Sequence, residues 1–153
     1  HKRSIAISAI RSFVFNESLH ARVVDGSWNR LLPDDKANLD GTGSVFEVGN
    51  VDDELARRCR EMDIHPAGEL IGDGSTGDNE RWLGALAKAR VEPGYRSLRL
   101  RVSDLEVSAG DNQVELAFSL GRGAFATSVM RELVDVTDAS KTAGYSRAGQ
   151  SQD

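Results

Sequence analysis

The chain holds little of what several common chemistries require. It has one cysteine, Cys59, so no internal disulfide can form, and a lone thiol fits a reducing compartment. Cys59 lies between Arg58 and Arg60, which leaves two readings open, an inert thiol or one activated by its neighbours. The three histidines, His1, His20 and His65, have no metal-ligand spacing with that cysteine, and no metal is expected. No apolar run approaches the roughly 20 residues of a membrane-spanning helix. A signal-peptide core is also missing from the N-terminus. A cytoplasmic protein without a membrane partner is the expectation. Positive charge is in deficit: 19 Lys and Arg against 24 Asp and Glu leave a net charge of −5.

That deficit is awkward for a nucleic-acid partner, because such domains usually carry a basic footprint. Its distribution matters more than its sum. Acidic residues gather at Asp34-Asp35, at Asp52-Asp53-Glu54, between Asp73 and Glu80, and at Asp153. Basic residues gather at Lys2-Arg3, Arg11, Arg22 and Arg30, then at Arg96, Arg99, Arg101 and Arg122. Folded onto one face, these would make a phosphate track. Scattered, they are solvated surface charges.

The 153 residues suffice for about one domain with a core. Periodicity predicts a mixed α+β fold of helices and antiparallel strands. A helix is predicted from Ser4 to about Val24, with Ala6, Ile10 and Phe13, and then Ala9, Phe13, Asn16 and His20, at helical spacing. Gly26 and Pro33 mark its exit. Two strands, Lys36–Leu39 and Ser44–Val48, flank the turn Asp40-Gly41-Thr42-Gly43. Asn50 is the expected N-cap of a helix running through Met62. Residues Asp63 to Gly77 read as loop, broken by Pro66. A helix from Asn79 to Arg90 should turn Trp82, Leu83 and Leu86 inward. Strands follow at Arg96–Val102, with Leu98, Leu100 and Val102 on one face, and at Asn112–Leu120. The residues beyond Asp138 have a disordered composition.

Two Gly-rich motifs fail on context. Gly72-Asp73-Gly74-Ser75-Thr76-Gly77 matches G-x-G-x-x-G, but no buried strand is expected before it, and it has no P-loop lysine. Asp73, Ser75 and Asp78 echo a calcium loop whose bidentate Glu is replaced by Gly84. No nucleotide, metal or other cofactor is expected. A ligand-binding domain built on this loop is one rival to the reading below.

The most informative stretch is Gly121-Arg122-Gly123-Ala124-Phe125-Ala126-Thr127-Ser128-Val129-Met130-Arg131-Glu132-Leu133-Val134. It crosses a Gly-Arg-Gly turn into a short amphipathic helix with Phe125, Val129 and Leu133 four apart. Such a turn leaves backbone N–H groups open to an anion at a helix N-terminus. Its wording resembles the C-terminal signature of the TruD family of tRNA pseudouridine synthases. The opening Arg3-Ser4-Ile5-Ala6-Ile7-Ser8-Ala9-Ile10-Arg11-Ser12-Phe13-Val14-Phe15-Asn16 resembles the family's Ala-x-Arg-Ser-x-x-x-Asn helix. Trp28-Asn29, Gly41-Thr42-Gly43-Ser44-Val45-Phe46, Asp63-Ile64-His65-Pro66-Ala67-Gly68 and Arg96-Ser97-Leu98-Arg99-Leu100 follow in the family's order. One departure is a stretch between Gly77 and Tyr95 that is shorter than the family's.

The resemblance implies isomerisation of uridine to pseudouridine in tRNA, at position thirteen, without cofactor. It implies residues 1–25 as a helix of the catalytic domain and 26–111 as the insertion domain. Residues 112–138 would then be a returning catalytic strand and helix, and 139–153 a disordered tail. The family's catalytic aspartate lies in a Gly-Leu-Lys-Asp stretch, and neither Leu39-Asp40-Gly41 nor Val51-Asp52-Asp53 supplies one. The family's Asn-Tyr-Phe-Gly segment is absent as well. The chain is therefore expected to be the C-terminal part of an enzyme whose upstream catalytic half is its partner, and to be inactive alone. The rival is a stand-alone RNA-binding module.

The resemblance implies that Phe125 lines the cleft against the target uridine, where a flipped base needs a packing partner. By pattern alone it reads instead as an ordinary core residue at the head of an amphipathic helix, and only the resemblance favours the cleft. Arg122 is placed for a phosphate by its two flanking glycines. Arg131 has two readings, a phosphate contact or an internal salt bridge with Glu132 or a neighbour. Asn16, on the expected apolar stripe, is either a buried structural hydrogen bonder or a substrate contact. Arg11, on the opposite polar face, is a further RNA candidate.

Overall fold

A computed structural model describes residues 2–76 and 80–133. The elements in order are α1 (Lys2–Val24), β1 (Lys36–Leu39), β2 (Val45–Glu47), α2 (Asp53–Arg60) and β3 (Ile64–Leu70). They continue with α3 (Glu80–Lys88), β4 (Gly94–Ser97), β5 (Val102–Ala109), β6 (Val114–Leu120) and α4 (Ala126–Leu133). The fold is α+β, with every strand pairing antiparallel. The chain divides into two compact units, one ending at Arg101 and the other beginning at Val102. The tail expected beyond Asp138 lies outside the described residues.

The first unit is built on a sheet of order β2-β1-β3-β4. Register sets its faces: Ala37 is opposite both Phe46 and Pro66, Leu39 is opposite Ile64, and Gly68 is opposite Arg96. These residues share one face, and both α1 and α2 cover it. Under α2, Leu31, Ala37, Val48, Cys59 and Ile64 form the buried core, with Leu39, Phe46, Val51 and Leu55 packed on it. Phe15 of α1 is buried where β3 carries Gly68, and a Cβ there would stand 2.9 Å from both the Phe15 ring and Leu98. Gly68 is a glycine because an aromatic ring lies directly on the strand.

Several expectations are corrected. The inward face of α1 runs through Ile7, Arg11, Phe15, Leu19 and Arg22, while Phe13 is 51% exposed and Asn16 is exposed. Asn50 is not the cap of α2. Asp52 is, its carboxylate accepting from Leu55 N–H at 2.8 Å. Asp53 and Glu54 at the start and Arg57, Arg58 and Arg60 at the end then complement the helix dipole.

The segment read as loop from Asp63 contains β3, the inner strand between β1 and β4. Pro66 fits because the β3–β4 ladder ends at Ala67–Ser97. The missing N–H of Pro66 faces past that end, where its carbonyl accepts from Leu98 N–H at 2.8 Å. The single strand expected at Arg96–Val102 is two. β4 stops at Ser97, and Val102 opens β5, which pairs with β6. Leu98 is buried, Leu100 is 41% exposed, and Arg99 turns into the protein, so the expected alternation fails. The hairpin β1–β2 stands where expected, with Gly41 and Gly43 at φ of 70° and 74°.

The second unit is the ribbon β5–β6 followed by α4. One extra residue bulges from β5 between Ser103 and Glu106, with Asp104 at φ 54°. None of its described residues is buried.

Candidate nucleic-acid interface

The turn after β6 carries the strongest expectation. Gly123 adopts φ +88°, and Ala124 N–H closes the turn on the Gly121 carbonyl at 3.2 Å. Phe125 then precedes the first helical residue, Ala126, and its carbonyl accepts from Ser128 N–H at 3.0 Å. Its side chain is 72% exposed, and Arg122 is exposed on the same turn. Of the stripe expected on α4, Val129 is half-buried, while Leu133 is 51% exposed and Met130 is the other inward residue. Arg131 is exposed. Among the described residues it makes no ion pair, so the bridge to Glu132 is not formed.

Arg11 and Asn16 belong to the first unit. Arg11 is not on a polar outer face: its Nη2 donates to the Leu70 carbonyl at 3.3 Å and the Glu92 carbonyl at 3.1 Å. It ties the end of β3 to the segment before β4. Asn16 projects outward, so it is not the buried hydrogen bonder of one reading.

Most of the arginines proposed as a phosphate track are likewise engaged within the protein. Arg22 grips both carboxylate oxygens of Asp35, at 2.8 and 3.1 Å, and donates to the Ser27 and Arg30 carbonyls. Arg96 lies over the Phe15 ring, 5.0 Å from its centroid. Arg101 pairs with Asp40 at 2.8 Å. Arg99 donates from Nε to His65 Nδ1 at 2.9 Å and from its Nη atoms to the carbonyls of Asn29, Cys59 and Ile64.

Sequence reasoning missed the resulting cluster. His65 is buried, and because Nδ1 accepts from Arg99, Nε2 is the protonated nitrogen that donates to Asp40 at 2.9 Å. The hydrogen bond from His65 lowers the Asp40 pKa below its ordinary value. Arg101 adds to this, and together they outweigh the partial burial that would raise it. The only local signal is the alternation that sets Arg99 and Arg101 on the strand face opposite Leu98 and Leu100. Cys59 sits against the same cluster, buried, with Arg99 Nη2 at 3.6 Å from its sulfur. Its flanking arginines pair elsewhere or point out: Arg58 bonds Asp63 at 2.5 Å, and Arg60 is exposed.

The Gly72 loop does follow a strand, β3, contrary to expectation. Yet β4, beyond α3, returns antiparallel to β3 instead of parallel, so the dinucleotide-binding unit is not built. Gly72 has another cause: a Cβ there would lie 2.3 Å from Pro93 N and 2.5 Å from the Val91 carbonyl oxygen. Ser75 Oγ holds the loop, bonding Gly72 N–H at 2.9 Å and Glu69 at 2.6 Å. Gly77 lies outside the described residues. Among the described residues no group of three His, Cys, Asp or Glu could hold a metal ion, and no helix is long and apolar enough to cross a membrane.

Comparison with known proteins places the chain in one family. The model of tRNA pseudouridine synthase D (TruD) matches residues 2–133. The chain is 37% identical over 150 residues to the tRNA pseudouridine synthase D of Methylococcus capsulatus, covering 88% of this chain and 42% of that one. It is 38% identical over 157 residues to that of Xanthomonas euvesicatoria pv. vesicatoria, covering 92% and 42%. It thus spans about two fifths of the length of these relatives. A Methanosarcina mazei crystal structure, solved as a candidate tRNA pseudouridine synthase D, shares the fold with a TM-score of 0.58 at 17% identity, over 80% of this chain and 36% of the other. With its family model matched from Lys2 to Leu133, the chain belongs to the TruD family of tRNA pseudouridine synthases.

Proposed function

We propose that this chain is the insertion domain and C-terminal catalytic flank of a cytoplasmic enzyme that isomerises uridine to pseudouridine in tRNA, at position thirteen. The family match across residues 2–133 carries the reading. The share of the relatives' length outside this chain leaves room for the Gly-Leu-Lys-Asp aspartate, which this sequence lacks. That aspartate would act at the sugar carbon while the C–N glycosidic bond breaks and the base rejoins through carbon. No cofactor enters the scheme.

Within it, residues 1–25 and 112–138 belong to the catalytic domain and residues 26–111 to the insertion domain. Phe125 packs the target base: an aromatic ring 72% exposed at a turn is available for such a contact. Arg122 and Arg131, exposed on the same unit, meet phosphates. Asn16 is a surface contact, and Arg11 supports the RNA-facing region by bracing β3 and the segment before β4.

The test is pseudouridine formation in unmodified tRNA by a full-length reading frame, by its Phe125→Ala variant and by this chain alone. The frame should be active, the chain alone inactive, and the variant about 10- to 100-fold slower, the range that losing a base-stacking contact allows. Unchanged activity in the variant would remove Phe125 from the cleft. A folded full-length protein without activity on any tRNA would overturn the reading.

A further inference from the structure

The loop between α1 and β1 presents two large side chains on an unusually well-braced backbone. Trp28 is 38% exposed, and Arg30 is exposed without an ion pair among the described residues. Beneath them, every carbonyl from Ser27 to Arg30 except that of Trp28 is held by an arginine. Arg22 Nη2 donates to the Ser27 carbonyl at 2.9 Å and to the Arg30 carbonyl at 2.8 Å. Arg99 Nη1 donates to the Asn29 carbonyl at 3.2 Å, and the Cys59 thiol approaches the same oxygen at 3.7 Å. Trp28 N–H and Ser27 N–H both donate back to the Arg22 carbonyl, at 3.0 and 2.8 Å. Asp35, which fixes Arg22, also accepts from Leu32 N–H at 2.8 Å.

The consequence is preorganisation. Two cations anchored inside the fold grip the backbone, so the indole and the guanidinium above it are displayed without a loop to order on binding. Asp25 is the nearby acid. Its pKa is lowered first by the Ser27 side chain and next by the Ser27 backbone N–H, which donates to it at 2.8 Å, so its carboxylate is already turned to the backbone. An exposed tryptophan two residues from a guanidinium that makes no ion pair among the described residues is suited to an unpaired base and a nearby phosphate. The ring offers a stacking face to any base, and the cation neutralises the backbone.

We propose that Trp28 and Arg30 form a contact site for single-stranded RNA, Trp28 stacking on an unpaired base and Arg30 meeting the adjacent phosphate. This deepens the tRNA reading and rests on it, and its test is separable from catalysis.

Trp82 is the other tryptophan, and its buried Nε1 has no hydrogen-bond partner, so Trp82→Phe strands no polar group. In that background Trp28 alone reports. Oligouridylate and unmodified tRNA should each quench Trp28 emission in titrations followed in parallel by anisotropy of the labelled RNA. Arg30→Ala should make the salt dependence of binding shallower by about one released counterion. Trp28→Ala should weaken binding about tenfold, and Trp28→Phe, which keeps a stacking ring, much less. Binding by anisotropy with Trp28 emission unchanged and the salt slope unaltered would overturn the site while leaving the tRNA reading intact. Absence of binding to either RNA would overturn the site as well. Quenching by oligouridylate, with no pseudouridine formed by the full-length frame, would support the site and sink the enzymatic reading. The emission change needs no loop substitution, so an unfolded Trp28→Ala variant leaves the outcome decided.

Discussion

Arg99 joins four places that are distant in sequence: the loop at Asn29, the end of α2 at Cys59, the start of β3 at Ile64, and the His65 ring. A lysine has neither the planar fork nor the number of donors to serve them together. Arg99→Lys should cost about 2 kcal/mol, the scale of losing charged hydrogen bonds to part-buried acceptors. Urea denaturation measures it, and a change within about 0.5 kcal/mol, the level of ordinary surface substitutions, would show that the cluster is incidental. Asp40 adds a pH dependence of definite sign. Its folded pKa is depressed, so its contribution is present above the unfolded value of about 3.9 and is lost as pH falls through that value toward the folded one. Asp40→Asn should flatten the acid limb of stability below about pH 4 and leave the neutral region's slope unchanged. An acid limb of unaltered steepness would count against it. Beyond the alternation of Arg99 and Arg101, this cluster was not legible in sequence. Asp40, His65, Arg99 and Arg101 are brought together by β-pairing across dozens of residues, and periodicity reads only neighbours along one element.

At the scale of elements, what could be read were the pieces whose signals are local. The long first helix, the β1–β2 hairpin with its Gly41 and Gly43, and the inward Leu86 of α3 stand where the pattern put them. The inner strand β3 was hidden because Pro66 and Gly68 both read as breakers. In the fold each has a tertiary reason: Pro66 stands past the end of a ladder, and Gly68 makes room for Phe15. The same reason explains the misplaced face of α1. Its buried side is chosen by where Phe15 and two arginines find partners, and the most apolar stripe does not decide it. Gly68→Ala is therefore not a mild change. The added methyl meets both Phe15 and Leu98 at 2.9 Å, and should cost about 1–3 kcal/mol by overpacking. Thermal denaturation checks it, with Phe15→Leu as a second change expected to recover part of the loss by removing the ring. An additive or worse double variant would deny the proposed contact.

For the whole molecule, the two units differ in what holds each of them. The first has a buried core in Leu31, Ala37, Val48, Cys59 and Ile64, and helices over one sheet face. The second has a two-stranded ribbon and one short helix, with Leu105, Val107, Val114, Phe125 and Leu133 between 49% and 72% exposed. A lone ribbon is marginal in water, and a third layer or more strands are needed for independent stability. Phe125 stands out in the sequence, but its exposure could not be read there, because a sequence cannot say whether a partner covers an apolar stripe. The difference predicts a split in amide hydrogen exchange. In this chain the amides of β1 and β3 should exchange only through global unfolding, while those of β5 and β6 should open at a free energy several kcal/mol lower. In a full-length protein that completes the length of the relatives, the β5–β6 amides should become protected by at least about tenfold, a 1.4 kcal/mol effect, as added surface covers the apolar residues. Equal protection of both units in this chain would mean that the ribbon is self-sufficient and that its exposed apolar residues are free for RNA alone.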